Sequence, residues 1–160
     1  MTIFILEDNA DRTAVMDRLL ADKFPFYRRK FARSAGEAIT WLTEHWQSVV
    51  AVSLDHDLEP SDTDQSGCDP GTGRDVSDFL SGRKADFPVL VHTSNCSAAV
   101  AMEADLLDAK WSVSRVMPFD DLQWLAAAWL PLLRNVIVQS AAHNGRTAVP
   151  ASAAGMDHAI

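Results

Sequence analysis

Three ionisable side chains follow directly after a short apolar run near the middle of the chain. The run "VVAV" leads into "SLDHDLEP", in which Asp55, His56 and Asp57 are adjacent. Small and β-branched residues in such a run predict a buried strand, so the charged residues stand where that strand ends. Glu7 and Asp8 stand at the same point after the run "TIFIL". Carboxylates that meet at one edge repel each other unless a positive group lies between them, and a hard divalent cation is a natural occupant.

A third polar cluster, His92, Thr93, Ser94 and Asn95, includes the end of the run "VLVH" and the residues after it. Histidine titrates near neutral pH and can act as a general acid or base. Hydroxyl groups and the amides at the start of a helix bind phosphate oxygens. These residue types also have purely structural roles, since Asp, Ser and Asn cap helices and a histidine at a strand end often forms only local hydrogen bonds.

Alternating strands and helices must position these clusters. Strands are predicted at "TIFIL", "FYRRKFA", "VVAVSL", "VLVH" and "WSVSRVM", with the second and more polar one at an edge. Helices are predicted over residues 9–22, from Ser34 with Glu37 as a capping box, from Thr72 with Asp75, from Ser94 or Asn95, and from Asp120 or Asp121 up to an interruption at Pro131. This alternation predicts a doubly wound α/β domain with a five-stranded parallel sheet, whose strands end at one ligand-binding edge.

The composition limits the classes of function. The chain of 160 residues has a formal net charge of −8, which argues against a general binder of nucleic-acid backbones. Cys68 and Cys96 have no disulfide or zinc spacing, and no apolar run suggests a membrane span, so we expect a cytoplasmic protein without membrane contact. The domain is expected to cover residues 1–134. A mostly flexible tail, residues 135–160, is expected to follow, with "VIVQ" able to dock on the domain or on a second copy in a homodimer.

The strand ends carry a family resemblance. "ILEDN" after the first strand, an aspartate after the third, a hydroxyl residue after the fourth and a proline after the fifth resemble the receiver domains of two-component response regulators. The alternating pattern and this resemblance predict the flavodoxin-like strand order 2-1-3-4-5. The resemblance also implies a metal site at the acids and a phosphoryl-accepting aspartate. Asp55 and Asp57 are both candidates for that aspartate, and Asp55 is favoured because it lies closer to the strand.

The chain departs from ordinary receivers in three places. Met117 stands where receivers have a lysine before the proline, and Arg115 is a candidate to replace that cation. The connection "DLEPSDTDQSGCDPGT" is much longer than the receiver turn, as is typical of a binding loop. His56 and His92 stand where receivers have aliphatic residues. A phospho-accepting or degenerate receiver that acts as a signalling module is therefore the alternative interpretation.

A narrower resemblance covers about residues 1–131. The motifs "SLDHDL", "GTGRDV", "VHTSN", "AKWSVSRVMP" and "DDLQWL" together resemble the cyclic-phosphate processing receiver family. This resemblance implies a receiver fold that processes or recognises a cyclic or terminal phosphate of a nucleotide or RNA. A metal-dependent phosphoesterase and a sensor that holds a nucleotide without cleaving it are both compatible with it.

Metal binding and proton transfer are assigned to two strand ends and a histidine pair. A divalent cation, Mg²⁺ or Mn²⁺, is assigned to Asp8 and Asp55, with Glu7 as a further ligand through water, and would neutralise phosphoryl oxygens. We therefore expect Asp8 and Asp55 to lie within a few ångströms of one another. General-base and general-acid roles are assigned to His56 and His92. Asp57 is expected to orient His56 or to bind the metal.

Phosphate binding is assigned to the fourth strand end and to one arginine. The residues are Thr93, Ser94 and Asn95, with Arg115 as a clamp. Gly71 and Gly73 either let the backbone approach a phosphate or form an ordinary loop-to-helix turn.

Overall fold

The computed structural model describes residues 1–60, 69–119 and 121–147, with side chains through residue 142. Cys68, Asp120, residues 61–67 of the long connection and residues 148–160 lie outside this part of the chain. The elements are β1 (Thr2–Leu6), α1 (Ala10–Lys23), β2 (Arg28–Ala32), α2 (Ala35–His45), a 3-10 turn (Trp46–Ser48), β3 (Val49–Leu54), α3 (Gly73–Ser81), β4 (Val89–His92), α4 (Cys96–Asp108), β5 (Val113–Val116), a π-helical turn (Leu125–Trp129) and α5 (Leu130–Thr147).

The strands form one parallel sheet in the order β2-β1-β3-β4-β5. The predicted fold class and strand order are therefore confirmed, and the polar strand β2 lies at an edge as expected. Because β1 and β3 are neighbours, as are β3 and β4, the polar residues that end these three strands are brought to one edge of the sheet.

Two core layers cover the two faces of the sheet, because successive side chains of a strand point in opposite directions. Phe4 and Leu6 of β1 pack with α2, α3 and α4. Ile3 and Ile5 pack with α1 and α5. We call these the α2–α4 face and the α1–α5 face. Leu90 of β4 belongs to the α1–α5 face as well.

The C-terminal helix differs from the sequence prediction at Pro131. The helix is not interrupted there, because the turn before it is π-helical and the amide of Leu130 bonds to the carbonyl of Leu125. A proline cannot donate a backbone hydrogen bond, and its ring needs space beside the carbonyl four residues earlier. The wider π turn fits both requirements, since its hydrogen bonds span five residues.

The helix also continues to Thr147, past the predicted boundary at residue 134. Val136 and Ile137 are buried in the core of the α1–α5 face, which explains why the helix does not end earlier. Within "VIVQ", these two residues thus pack against the domain itself. The expected flexible tail stays a prediction for residues 148–160, which lie outside the described residues, and a homodimer stays a prediction too.

One segment of this helix, Leu125–Ala142, is long and apolar enough to cross a membrane by length and composition, with a mean hydropathy of 1.2. Trp129 and Leu133 within it are fully buried in the core of the domain. Core helices of soluble folds meet the same criterion, so the segment is weak evidence for a membrane contact.

The backbone of α3 touches the end of β3 at Gly73. The Gly73 amide donates to the carbonyl of His56 at 2.9 Å. A Cβ atom at this position would collide with the carbonyl oxygen of Asp55. Of the two roles considered for the "GTG" glycines, the loop-to-helix turn is the one that these contacts explain.

We predict that Gly73→Ala lowers the free energy of unfolding by about 2 kcal/mol or more, because backbone atoms of the sheet edge would have to move. Gly36→Ala is the matched control, since a Cβ at Gly36 meets nothing within 4 Å. Alanine favours the helix there by up to about 1 kcal/mol. Urea titrations of both variants test this expectation, and similar stabilities of the two would contradict it.

Candidate functional site

Three buried ionisable side chains lie together at the carboxyl edge of the sheet. Glu7 follows β1, Asp55 follows β3 and His92 ends β4, with exposed fractions of 0%, 3% and 0%. The alternation of side chains places all three on the α1–α5 face, in continuation of Ile5 and Leu90. Each offers one ligand atom, and these atoms lie within 4.8 Å of one another. We call these three residues the buried cluster.

His92 is held from two sides. Its Nε2 lies 3.3 Å from Oε2 of Glu7. Its Nδ1 lies 2.8 Å from Oγ of Ser53, which accepts the indole N–H of Trp129 at 3.0 Å. The role expected for His92 from the sequence is acid or base catalysis at the substrate. The buried position of its ring instead places it beside Glu7, beneath the edge of the sheet.

A positive charge lies between the two carboxylates of the cluster. Arg12, in the first turn of α1, places Nη1 at 3.0 Å from Oδ2 of Asp55 and at 3.7 Å from Oε2 of Glu7. Its guanidinium also lies over the ring of Trp124, 5.9 Å from the ring centroid. Arg12 is thus the positive group that two buried carboxylates require. The sequence predicts a positive group at this place, but it favours a metal ion rather than an arginine.

The surroundings move the pKa values of the two carboxyl groups in opposite directions. Burial alone would raise the pKa of Glu7, but hydrogen bonds from His92 and the Asn9 amide and the charge of Arg12 bring its pKa below the usual value. Burial raises the pKa of Asp55, and the negative charge of Glu7 adds to this effect. Glu7 is therefore a stabilised carboxylate, whereas an ionised Asp55 is held at a cost in free energy.

An open polar cavity of about 340 Å³ adjoins the buried cluster at Asp55. Two arginines, a serine and four acids contribute to its wall. The complete lining is Asp8, Asn9, Arg12, Arg33, Asp55, Asp57, Glu59, Pro60 and Ser94. Guanidinium and hydroxyl groups bind phosphate oxygens, whereas carboxylates bind divalent cations. The cavity therefore offers both kinds of group to one small ligand.

The buried cluster fits a divalent cation by the chemistry of its donors. Two carboxylates and an imidazole suit Mn²⁺, while Mg²⁺ prefers oxygen ligands throughout. The guanidinium of Arg12 occupies one side of Asp55. A cation shared by Glu7 and Asp55 would have to displace it, because like charges repel at this distance. The adjoining cavity gives the Arg12 side chain room to move.

Asp8 and Asp57 lie at the cavity rather than in the buried cluster. Oδ2 of Asp8 accepts the amide of Glu59 at 2.7 Å and so holds the start of the long connection. Asp57 has a 61% exposed side chain, and its Oδ1 lies 3.4 Å from Nδ2 of Asn95. Asp55 therefore has Glu7 as its neighbour in the buried cluster, and not Asp8 as the sequence led us to expect. Asp8 shares the cavity wall with Asp55 and is bonded to Glu59.

Of the three residues after β4 that were assigned to phosphate binding, two form hydrogen bonds at the start of α4 and one lines the cavity. Oγ1 of Thr93 is buried and accepts the amide of Asn95 at 3.1 Å. Oδ1 of Asn95 accepts the amide of Ala98 at 3.1 Å and caps α4, as the sequence predicts. Ser94 is exposed and lines the cavity. Phosphate binding by these residues stays a prediction, and Ser94 is the one whose side chain faces open space.

Arg115 does not reach the site. Its Nε lies 3.3 Å from Oε2 of Glu103 on α4. In the sheet it pairs with Val91, which faces α2–α4, while its neighbour Val116 pairs with His92. Arg115 therefore points to the face opposite the buried cluster, so the predicted clamp is not in place.

His56 is also separated from the buried cluster, because it follows Asp55 by a single residue. Its Nε2 lies 3.8 Å from Oδ1 of Asp57, and its Nδ1 is buried without a hydrogen-bond partner. Within the described residues, no hydrogen bond or ion pair joins His56 to His92, and neither ring lines the cavity. The predicted pairing of the two histidines across one ligand is therefore not seen in these contacts.

Four residues of the site were not predicted from the sequence, namely Arg12, Arg33, Ser53 and Trp129. A signal for Ser53 was present, since it precedes Asp55 by two residues and so shares its face. Arg12 and Arg33 were also detectable in principle, because each follows a strand that ends at the same edge. Nothing in the local sequence pointed to Trp129, which approaches from the far end of the chain.

A sequence-family model described as "Cyclic-phosphate processing Receiver domain" matches residues 3–108 of the chain. No curated protein matches the chain significantly. Among solved structures, it is similar to a CheY-like response regulator receiver domain from Methanospirillum hungatei, with a TM-score of 0.62 and 15% identity over 89% of this chain and 97% of the other.

Two further solved structures are similar to the same extent. One is the response regulator domain of CheB from Thermotoga maritima, with a TM-score of 0.62 and 13% identity over 86% of this chain and 96% of the other. The second is the beryllofluoride-activated NtrC4 receiver domain dimer, with a TM-score of 0.62 and 16% identity over 87% of this chain and 98% of the other. At such identities the likeness establishes the receiver fold and nothing beyond it.

We predict that Asp55→Asn and Glu7→Gln change the melting temperature in opposite directions when no divalent cation is present. The raised pKa of Asp55 means that its ionised form weakens the fold at neutral pH, so Asp55→Asn should raise the melting temperature by about 1–3 °C. The lowered pKa of Glu7 means that its carboxylate strengthens the fold at neutral pH, a contribution lost as the pH falls. Glu7→Gln should therefore lower the melting temperature.

Calorimetry at pH 7 in the presence of a chelator measures both effects. The two substitutions are matched in kind, since each replaces a carboxylate with its amide in the same buried cluster. A decrease of similar size for both variants would contradict the opposite environments inferred for the two groups.

Proposed function

Because the chain belongs to the family of cyclic-phosphate processing receiver domains, we propose that it binds a divalent cation at Glu7, Asp55 and His92 and the cyclic or terminal phosphate of a nucleotide or RNA in the adjoining cavity. The observation that carries this proposal is the position of Arg12. One guanidinium touches a carboxylate of the buried cluster and also lines the cavity.

The charges around the cavity support a phosphate ligand. Arg12 and Arg33 line one small space together with Ser94, which supplies a hydroxyl group. Displacement of Arg12 from Asp55 by a cation would free its N–H groups for phosphate oxygens, and guanidinium groups match phosphate oxygens in pairs. Cation and phosphate would thus bind with positive cooperativity, because each favours the same position of Arg12.

Each group of residues has a distinct task in this arrangement. Glu7, Asp55 and His92 hold the cation, which when bound neutralises charge on phosphoryl oxygens. Arg12 and Arg33 hold the phosphate against the edge of the sheet. Asp8 and Asp57 line the cavity with carboxylates, and either can take a proton from a water molecule or hydroxyl group beside the ligand.

The alternative is a phosphoryl-accepting receiver, with Asp55 as the acceptor. Asp55 lines the cavity and therefore has access to a phosphoryl donor. Met117, at the position of the receiver lysine, is half exposed and carries no charge, and Arg115 is paired with Glu103. Arg12 would then be the cation beside the acceptor, at 3.0 Å. We rank this function second because Met117, directly after β5, replaces its usual lysine.

For the cation site, we predict that the parent chain binds Mn²⁺ more tightly than Mg²⁺ and that Asp55→Asn weakens Mn²⁺ binding at least about tenfold. Asp8→Asn is the matched control, because Asp8 contributes to the cavity but not to the buried cluster. It should change the affinity by less than about threefold, as expected of a residue that does not bind the ion directly. Isothermal titration calorimetry measures the affinities of the parent chain and of the two variants. An equal loss for both variants would make Asp8 a ligand and contradict the proposed set.

For the phosphate, we predict that Arg12→Ala weakens binding of a nucleoside 2′,3′-cyclic phosphate about 10- to 100-fold, the usual worth of a hydrogen bond to a charged group. Arg115→Ala should leave the affinity unchanged, because this arginine is paired with Glu103 on the opposite face. Titrations in the presence of Mn²⁺ provide the measurement. Equal affinities of the two variants would remove Arg12 from the phosphate site.

One experiment separates the three candidate activities. The parent chain is incubated with Mn²⁺ and either a panel of cyclic and terminal nucleotide phosphates or acetyl phosphate. Turnover of an ester identifies a phosphoesterase, and binding without turnover identifies a sensor. A stable adduct of phosphoryl mass that disappears in Asp55→Asn identifies the signalling receiver. This last outcome, without binding of any nucleotide, would overturn the proposal.

A further inference from the structure

We propose that Ser53 and Trp129 are positioning residues of the cation site: they hold His92 so that its Nε2 can bind the ion, an assignment that rests on the proposed function. Trp129, Ser53, His92 and Glu7 form one buried chain of hydrogen bonds from α5 to the sheet edge. Its steps measure 3.0, 2.8 and 3.3 Å. All four residues have an exposed fraction of 0%.

The direction of these hydrogen bonds follows from the chemistry of the end groups. An indole N–H can only donate, and a carboxylate can only accept. Ser53 therefore accepts from Trp129 and has its own O–H available for Nδ1 of His92. For a neutral imidazole, this places the ring proton on Nε2, where it donates to Glu7. Every buried polar atom along the chain then has a partner, as burial requires.

Cation binding requires the opposite arrangement of the ring. A nitrogen that binds a metal ion must present a lone pair, so Nε2 has to lose its proton. The neutral ring keeps one proton, which is gained at Nδ1 by exchange with solvent, so none is released overall. Nδ1–H then donates to Oγ of Ser53. A hydroxyl oxygen has two lone pairs and can accept from His92 and Trp129 at the same time. The O–H of Ser53 then gives up its acceptor at Nδ1, and this cost is set against the free energy of binding the ion.

Ser53 suits this role because a hydroxyl group can be either partner in the hydrogen bond. An aliphatic residue would leave Nδ1 of His92 and Nε1 of Trp129 buried without partners. Metal-binding histidines in general have the second ring nitrogen fixed by a hydrogen bond, which sets the tautomer and the direction of the ring. In this site the fixing group comes from β3 and is itself fixed from α5.

The shape of the last helix accounts for the position of Trp129. The π-helical turn Leu125–Trp129 ends at this residue, and the bond from the Leu130 amide to the Leu125 carbonyl closes that turn. A π turn adds one residue to the normal repeat and rotates the side chains that follow it. Such turns often occur at functional sites. The turn that makes Pro131 compatible with the helix therefore also presents the indole to Ser53.

We expect this chain of bonds to control which cation is preferred. Mn²⁺ accepts an imidazole nitrogen beside its oxygen ligands more easily than Mg²⁺, which binds chiefly through oxygen ligands. If Ser53 and Trp129 act through Nε2 of His92, their loss should reduce affinity for Mn²⁺ more than for Mg²⁺. A general loosening of the domain would reduce both affinities alike.

The variants Ser53→Ala and Trp129→Phe test this proposal. Ser53→Ala removes the partner of Nδ1 and should weaken Mn²⁺ binding about 10- to 100-fold, as is usual for residues that orient a metal ligand. Trp129→Phe removes one neutral hydrogen bond and should weaken it about twofold to tenfold. Ser53→Thr keeps the hydroxyl group and should retain most of the parent affinity. Mg²⁺ affinity should change by less than about threefold in all of them.

Trp111→Phe is the matched control. The Trp111 indole is also buried and donates to the Leu80 carbonyl at 3.1 Å, away from the cluster. This variant should lose stability as Trp129→Phe does but keep the parent Mn²⁺ affinity. Nitrogen-15 NMR of the His92 ring adds an independent measurement. In the parent chain, the proton should lie on Nε2 without metal and on Nδ1 with a diamagnetic stand-in such as Zn²⁺.

The outcomes separate the two levels of the proposal. If the parent chain binds no divalent cation, the proposed function fails. If the parent binds Mn²⁺ and both Ser53→Ala and Trp129→Phe bind it with the parent affinity, the cation site stands and the positioning role of Ser53 and Trp129 is overturned. Equal losses for Mn²⁺ and Mg²⁺, or an unchanged ring tautomer on metal binding, would likewise overturn the positioning role alone.

Discussion

The burial of two carboxylates side by side is the constraint on which the carboxyl edge of this domain depends. Glu7 and Asp55 follow neighbouring strands on the same face, where the core excludes water. Two negative charges in such a place are tolerated only with a positive partner and with their remaining oxygens hydrogen-bonded. Arg12 supplies the charge, and the amides of Asn9 and His56 supply hydrogen bonds. The first turn of α1 is thus part of the site as well as of the core.

The same constraint explains why the two acids differ. Glu7 has His92, the Asn9 amide and Arg12 around it, and its pKa falls below the usual value despite burial. Asp55 lies nearer the cavity, where burial and the charge of Glu7 raise its pKa. A pair of carboxyl groups with opposite shifts is typical of functional sites, because one group stays charged while the other responds to a ligand. Asp55 is the member that lines the cavity, so in the proposed function it is the carboxylate that an entering ligand would meet first.

The fold, and the edge of the sheet at which the polar residues gather, could be predicted from the sequence. The face of the sheet to which each of these side chains points could not. Apolar runs separated by capped helices predict strand order and topology, since few arrangements satisfy them. The sequence predicts Asp8 and Asp55 as the close pair, but the cluster contains Glu7 instead, because Glu7 and not Asp8 shares a face of the sheet with Asp55. The expected pairing of His56 with His92 is not seen in the contacts, because His56 follows Asp55 and so points to the opposite face. Arg115 was expected at the site because it lies two residues before Met117. It pairs with Val91 in the sheet, so its side chain points to the opposite face and contacts Glu103. Trp129 depends on a π turn, and no local pattern predicted one.

The burial of His92 also limits what chemistry the edge can perform. A general acid or base must come within hydrogen-bond reach of the substrate. Both ring nitrogens of His92 already face protein groups, Ser53 on one side and Glu7 on the other. Under the proposed function, proton transfer at a phosphate in the cavity would therefore fall to groups on its wall, namely Asp8 and Asp57. The buried imidazole instead lies beside the carboxylate of Glu7, which is the position that a ligand of the proposed cation requires.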